Sequence, residues 1–199
     1  MLDDATMSRM TGHQHTDEAC ESTRKLTYAD FVRLPDDGRR HEIIDGVLIV
    51  SAAPGRMHQR AVVRLCQILV DATPAGFETL VGPFAVGLAD DTEIQPDIIV
   101  GRDEDFTERE IAKPVLAVEV LSPSTRLFDT HVKRARFERA GCPSFWVVDP
   151  VARPEEAALV AWELDADRVY RQVAKVVGDE PFAATLPFPV TVVPSALVR

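Results

Sequence analysis

The chain has 199 residues, 46% of them apolar, enough for one domain that buries a core of ordinary size. Its net charge of -10, from 32 acids against 22 Lys and Arg, argues against a protein that coats nucleic acid without specificity, because phosphate attraction needs positive charge. It leaves a nuclease open, since metal ligands are themselves acidic and local field outweighs the sum. No apolar run approaches the roughly 18 residues of a membrane span. The acidic start Met1-Leu2-Asp3-Asp4 lacks a secretory pattern, so the expected compartment is the cytoplasm, with no membrane partner.

Residues 1–25 are polar and unpatterned, and read as a disordered tail. The two histidines there, His13 and His15, cannot complete a coordination shell alone. Thr27 with Asp30 predicts a capped short helix with Tyr28, Phe31, Val32 and Leu34 as its apolar face, ending before Pro35 and a turn at Asp36-Asp37-Gly38. Residues 41–44 and 47–50 flank Asp45-Gly46, a strong hairpin signal. His58, Val62, Leu65, Leu69 and Ala72 form one helical stripe. Residues 77–88 read as strand broken at Gly82-Pro83, followed by a turn at Asp90-Asp91 and a short strand opening with Pro96-Asp97. Residues 102–112 look charged and superficial. Val115–Leu121 is the most hydrophobic strand and suits mid-sheet. A loop at 122–125 leads to a helix ending at Ala140-Gly141, then a buried strand, Phe145–Asp149. Residues 159–173 read as an exposed hairpin, and the segment from Glu180 shows little pattern. The sum is one α/β domain over 26–199 with a mixed sheet. Cys20, Cys66 and Cys142 form no metal ladder, and Cys66 and Cys142 read as small buried hydrophobes.

Glu119 carries the most information. It is the lone charge in an apolar strand, on the face of Ala117 and Leu121, and such a carboxylate is expensive unless paired or bound to a cation. Asp97 heads the preceding strand, and if the two strands are neighbours both carboxylates converge on one hard cation, Mg²⁺ by default and Mn²⁺ as the alternative. Lys133 shares the inward stripe of its helix with Phe137 and Ala140 and needs a partner, which Asp129 would also supply. Glu42 would reach the metal directly or through water. His58 is either a core histidine or a group on the rim. His131, Arg134 and Arg136 would look outward, where they could meet phosphates. Charge is uneven: residues 90–110 hold nine acids and two arginines, net -7, while residues 126–139 hold five Lys or Arg and two acids, net +3. Phosphate-binding loops, HExxH and GxSxG patterns are absent from the sequence.

The order of these pieces resembles a bacterial family of restriction-endonuclease-like proteins of the Uma type, within the PD-(D/E)XK nucleases. The matching residues are His41-Glu42-Ile43-Ile44-Asp45-Gly46, Ala53-Pro54 with His58, Pro96-Asp97, and Pro114 with Glu119-Val120-Leu121-Ser122-Pro123-Ser124. Asp129 with Lys133, Ala140-Gly141-Cys142-Pro143 and Trp146-Val147-Val148-Asp149-Pro150 complete the set. The resemblance implies a mixed-sheet core flanked by helices and a Mg²⁺-dependent endonuclease acting on DNA. Asp97, Glu119 and the Val120 carbonyl would be metal ligands, with Glu42 assisting. Leu121 stands where the general pattern has lysine, and Lys133 from the following helix would take that role. The resemblance also implies a homodimer, with the late hairpin as a candidate interface. A catalytically silent nucleic-acid-binding or accessory protein, a structural domain in which Glu119 pairs with Lys133, and a hydrolase of smaller phosphoesters are the alternatives.

Overall fold

A computed structural model describes residues 25–34, 38–122 and 126–199. Residues 1–24 of the expected tail, Pro35 with the turn residues Asp36 and Asp37, and Pro123 to Thr125 of the loop lie outside these. In chain order the elements are α1 (Tyr28–Phe31), β1 (Arg40–Ile44), β2 (Val47–Ser51), α2 (Arg56–Ala72), β3 (Phe77–Val81), β4 (Ala85–Ala89), β5 (Thr92–Ile94), β6 (Ile98–Arg102), β7 (Glu110–Ile111) and β8 (Leu116–Val120). There follow a π-helical turn (Phe128–Lys133), α3 (Arg134–Ala140), β9 (Ser144–Asp149), β10 (Ala158–Leu164), β11 (Tyr170–Val177), β12 (Phe182–Ala184), β13 (Val190–Val192) and α4 (Pro194–Val198).

The central layer is a six-stranded mixed sheet in the order β11-β10-β9-β8-β6-β3. β8 lies in its middle, antiparallel to β6 and parallel to β9. Alternation along the strands makes two cores. Ile98, Val100, Leu116, Val118 and Val120 pack against the α2 stripe of Ala61, Val62, Leu65 and Leu69. Ile99, Ala117 and Leu121 face the other way, toward Phe137 of α3 and toward Ile44, Val86, Ile94 and Ile111 of a five-stranded sheet ordered β2-β1-β5-β4-β7. Glu119 therefore projects into the space between the two sheets, the side on which β1 and α3 lie.

Local chemistry explains the main elements. Thr27 and Asp30 form the reciprocal capping box. The β1–β2 hairpin closes Ile44 onto Val47 through Asp45 and Gly46, both at positive φ (53° and 79°), the pairing of a tight hairpin turn. A Cβ at Gly46 would sit 2.6 Å from Lys25 Cβ and 3.1 Å from the Leu26 carbonyl. Gly46→Ala is therefore expected to lower stability by about 1–2 kcal/mol in urea unfolding, from the φ penalty and the crowding together. Gly141 at φ 83° ends α3 as the left-handed cap.

Several expectations need correction. The hairpin β10–β11 is not an exposed appendage: β10 pairs with β9, and Leu159 and Ala161 are fully buried. The segment from Glu180 is structured, because Phe182, Ala184, Val190, Val192 and Leu197 complete the core over α2. Ile111 is buried within the charged stretch 102–112, β5 was not anticipated, and Ala140 is exposed. The α1 face is not core either, with Tyr28 and Val32 exposed. Cys142 is buried, whereas Cys66 is half-buried. No helix among the described residues is long and apolar enough to cross a membrane.

Candidate active site

Three elements converge on Glu119. β8 carries Glu119 itself, and the register that pairs Ile98 with Val118 sets Asp97 beside it. Arg40, Glu42 and Ile44 share one face of β1, so the face that buries Ile44 also carries Arg40 and Glu42 inward. The π turn before α3 supplies Asp129 and Lys133, both buried although four residues apart in a charged helix.

The resulting cluster is nearly dry. Glu42 and Glu119 are each 1% exposed, Asp129 2%, Lys133 4% and Asp97 6%. Lys133 Nζ lies 3.0 Å from Glu42 Oε1, 3.2 Å from Glu119 Oε1 and 3.5 Å from Asp129 Oδ1. Glu42 Oε1 also accepts from the Gln95 amide at 2.8 Å. Asp97 Oδ1 accepts from Arg40 Nη1 at 3.2 Å, and its Oδ2 accepts from the Val120 amide at 2.8 Å. His58 Nε2 is 3.1 Å from the same Oδ2, so against this carboxylate it is the donor nitrogen. Arg40 Nη2 reaches Glu42 at 3.4 Å and ties the two halves together.

Charge and burial act in opposite directions here. Burial raises the Asp97 carboxyl, but the hydrogen bond and charge of His58, with Arg40 and the Val120 amide, hold it below the usual range. Burial pushes the Glu119 carboxyl well above its usual range, against the pull of Lys133. Burial also works against the Lys133 ammonium, but Glu119 and Glu42 outweigh it and hold its pKa above the ordinary lysine value. Lys133 is thus a fixed cation and donor, not a proton acceptor.

Outside the cluster, Glu93 of β5 is pushed up to about 7 by burial and by the nearby Glu110 and Glu42. A carboxyl raised in the folded state stabilises fully below its unfolded value and loses that contribution as pH rises through 7. Glu93→Gln should therefore flatten the fall in stability from about pH 4.5 to 7. Allowing for solvent screening, it should stabilise the protein at pH 8 by on the order of 2 kcal/mol in urea unfolding, with little effect at pH 4.

The structure thus brings together Glu42, Asp97, Glu119, Lys133 and His58, with the Val120 main chain adjoining. It does not bring in the remaining candidates. Arg136 is paired with Asp45, Arg134 lies 5.0 Å over the Trp162 ring, and exposed His131 sits 2.8 Å from the Thr130 hydroxyl. Sequence reasoning missed Arg40, whose signal was its i, i+2 relation to Glu42 on one strand face. It also took Asp129 only as a competing partner of Lys133, where Asp129 is a buried member of the cluster.

The cluster opens on a cavity of about 430 Å³, lined by Arg40, His58, Asp97, Glu119, Asp129 and Lys133 among others. Among the described residues no group of three or more His, Cys, Asp or Glu side chains is arranged to hold one metal ion. The donor chemistry nevertheless fits a hard divalent cation. Four carboxylates (Glu42, Asp97, Glu119, Asp129) gather around Arg40, Lys133 and His58; Glu42 Oε2 is buried without a hydrogen bond, and Glu119 Oε1 meets only the Lys133 ammonium at 3.2 Å.

A family model, Uma2, described as "Putative restriction endonuclease", matches residues 28–194. The chain belongs to the Uma2 family. No protein of curated function matches it. Among solved structures, this Uma2 chain is similar to one described as a "putative nuclease belonging to DUF820 from Anabaena variabilis ATCC 29413", at 20% identity and a TM-score of 0.63, over 87% of this chain and 97% of that one. At that identity the likeness establishes a shared fold alone, a mixed α/β arrangement of sheets flanked by helices.

Proposed function

We propose that this Uma2 protein is a divalent-metal-dependent endonuclease that hydrolyses phosphodiester bonds in DNA. The observation that carries the reading is the gathering of four buried carboxylates, Glu42, Asp97, Glu119 and Asp129, beside an accessible cavity, with Glu42 Oε2 left without a hydrogen bond. Carboxylates set this close together repel unless a cation lies among them, and oxygen ligands favour a hard divalent ion. Asp97, Glu119 and the Val120 carbonyl would hold Mg²⁺, or Mn²⁺ in its place, with Glu42 assisting from β1. When bound, such an ion lowers the pKa of a coordinated water and offsets charge on the scissile phosphate.

The chain's own residues do the rest. Lys133, permanently protonated, offers N–H donors to the attacking water or to the oxygen on which charge develops. Arg40, His58 and the Val120 amide keep Asp97 ionised and fix its orientation. Burial of the cluster strengthens each of these electrostatic effects. Cutting both strands of a duplex would take two such sites, which is the ground for including a homodimer in this reading.

The contacts of Lys133 favour one second reading. Its ammonium already bridges Glu42, Glu119 and Asp129, as in a silent member of the fold that uses the lysine as a structural cation. Assays on supercoiled, linear, branched and single-stranded DNA with Mg²⁺, Mn²⁺ or EDTA separate the two. The proposal expects cleavage of at least one form that EDTA and Asp97→Ala both abolish. Absence of cleavage on every form, with the protein folded, would leave the silent reading.

A further inference from the structure

The chain crosses between its two sheets twice in quick succession. It leaves the six-stranded sheet at Val81, the end of β3, and enters the five-stranded sheet at Ala85 of β4, through Gly82-Pro83-Phe84. It returns from Ile94 of β5 to Ile98 of β6 through Gln95-Pro96-Asp97. The second crossover serves the site: Asp97 belongs to it, and the Gln95 amide donates to Glu42 Oε1 at 2.8 Å. The first crossover lies directly against the second, because the Gly82 amide donates to the Asp97 carbonyl at 2.9 Å. On its other side the Asp97 amide donates to the Val118 carbonyl of β8 at 3.0 Å. A Cβ at Gly82 would stand 2.5 Å from the Pro96 carbonyl oxygen and 3.5 Å from Asp97 Cα. Both are main-chain atoms, which no rotamer change can move aside. Gly82 does not adopt the left-handed conformation, so contact and not φ is what excludes a side chain there.

We infer that Gly82 is a positioning residue of the metal site: its bare Cα and its amide set the path of the second crossover, and with it the placement of Asp97 relative to Glu42 and Glu119. The inference rests on the metal-dependent reading and adds a residue that touches neither ion nor substrate. An alanine would push the Pro96 carbonyl away by at least about 0.5 Å, since a Cβ keeps 3.0 Å or more from such an atom. Asp97 and the Gln95 amide would move with it, one carrying a carboxylate and the other holding one. Constellations of this kind tolerate displacements of only about 0.5 Å. The break that Gly82-Pro83 makes in the strand-like stretch 77–88 thereby acquires a purpose.

The test is Mn²⁺ affinity, read by electron paramagnetic resonance well below the melting temperature, in the unaltered chain, Gly82→Ala and Gly101→Ala. Gly101 is the control: a Cβ there would run into Ile111 and the Phe106 ring, which belong to a core and not to the site. Both variants should melt below the unaltered chain, but only Gly82→Ala should weaken Mn²⁺ binding, by about 10–100-fold. If Gly82→Ala does not fold, the unaltered chain carries the test. By linkage, a contact that strengthens ion binding is itself strengthened by the ion. Hydrogen exchange of the Gly82 amide, followed by nuclear magnetic resonance, should then slow on saturation with Mg²⁺ at least about 10-fold more than that of Gly101. Unchanged Mn²⁺ affinity in folded Gly82→Ala, an equal loss in the two variants, or equal slowing of the two amides overturns the inference and leaves the nuclease reading standing. Failure of the unaltered chain to bind Mn²⁺ overturns both.

Discussion

Lys133→Met lowers the stability of the metal-free protein by about 3–5 kcal/mol, the size expected when a buried ion cluster loses one cation and keeps its anions. Methionine preserves most of the side-chain volume, so the loss reports charge and not a cavity. Glu42, Glu119 and Asp129 all lean on this ammonium within 3.5 Å, and Arg40 alone cannot replace it. Those carboxyls would take up protons, so the destabilisation shrinks as pH falls from 7 toward the ordinary carboxyl value of about 4.5 and is smallest below it. Urea unfolding in EDTA at pH 7 and pH 4 measures both statements. Mn²⁺ should restore more stability to this variant than to the unaltered chain, because an added cation supplies the missing charge. A loss under 1 kcal/mol would mean that Lys133 is not held as described.

Glu119→Gln acts in the opposite direction on stability. It removes a carboxylate that burial already pushes toward the protonated form, and glutamine keeps its shape. Metal-free stability should hold or rise by about 1 kcal/mol, since replacing a buried charge by a neutral isostere relieves a desolvation cost. DNA cleavage should fall on the order of 10³-fold, because a metal site contributes several kcal/mol of transition-state stabilisation. A structural residue would show the reverse pattern, destabilised protein with residual activity intact, and thermal melting beside a cleavage time course distinguishes them.

The parts of this site that were legible in the sequence are those where a local rule was visibly broken. Glu119 interrupts an apolar strand, and Lys133 falls on an inward helical stripe with Phe137 despite the π turn that precedes it. The Asp45-Gly46 hairpin and the α2 stripe were legible because turn chemistry and periodicity agree there. Arg40 was not, since a lone arginine on a short strand looks solvent-exposed until its partners Asp97 and Glu42 are placed by long-range pairing. The three-residue strands β5, β12 and β13 carry too few residues to show a period. The burial of Leu159 and Ala161 on β10 follows from its pairing with β9, which alternation alone does not specify.

The central claim is that the buried carboxylates around Glu119 gather to hold a divalent cation. Isothermal titration of Mn²⁺ into metal-free protein, alone and with a non-cleavable oligonucleotide, tests it directly. The account predicts a saturable heat that disappears in Glu119→Gln and in Asp97→Asn. Absence of any heat in the unaltered chain under both conditions would contradict it, and would leave Glu42, Glu119, Asp129 and Lys133 as a buried ion cluster without chemistry.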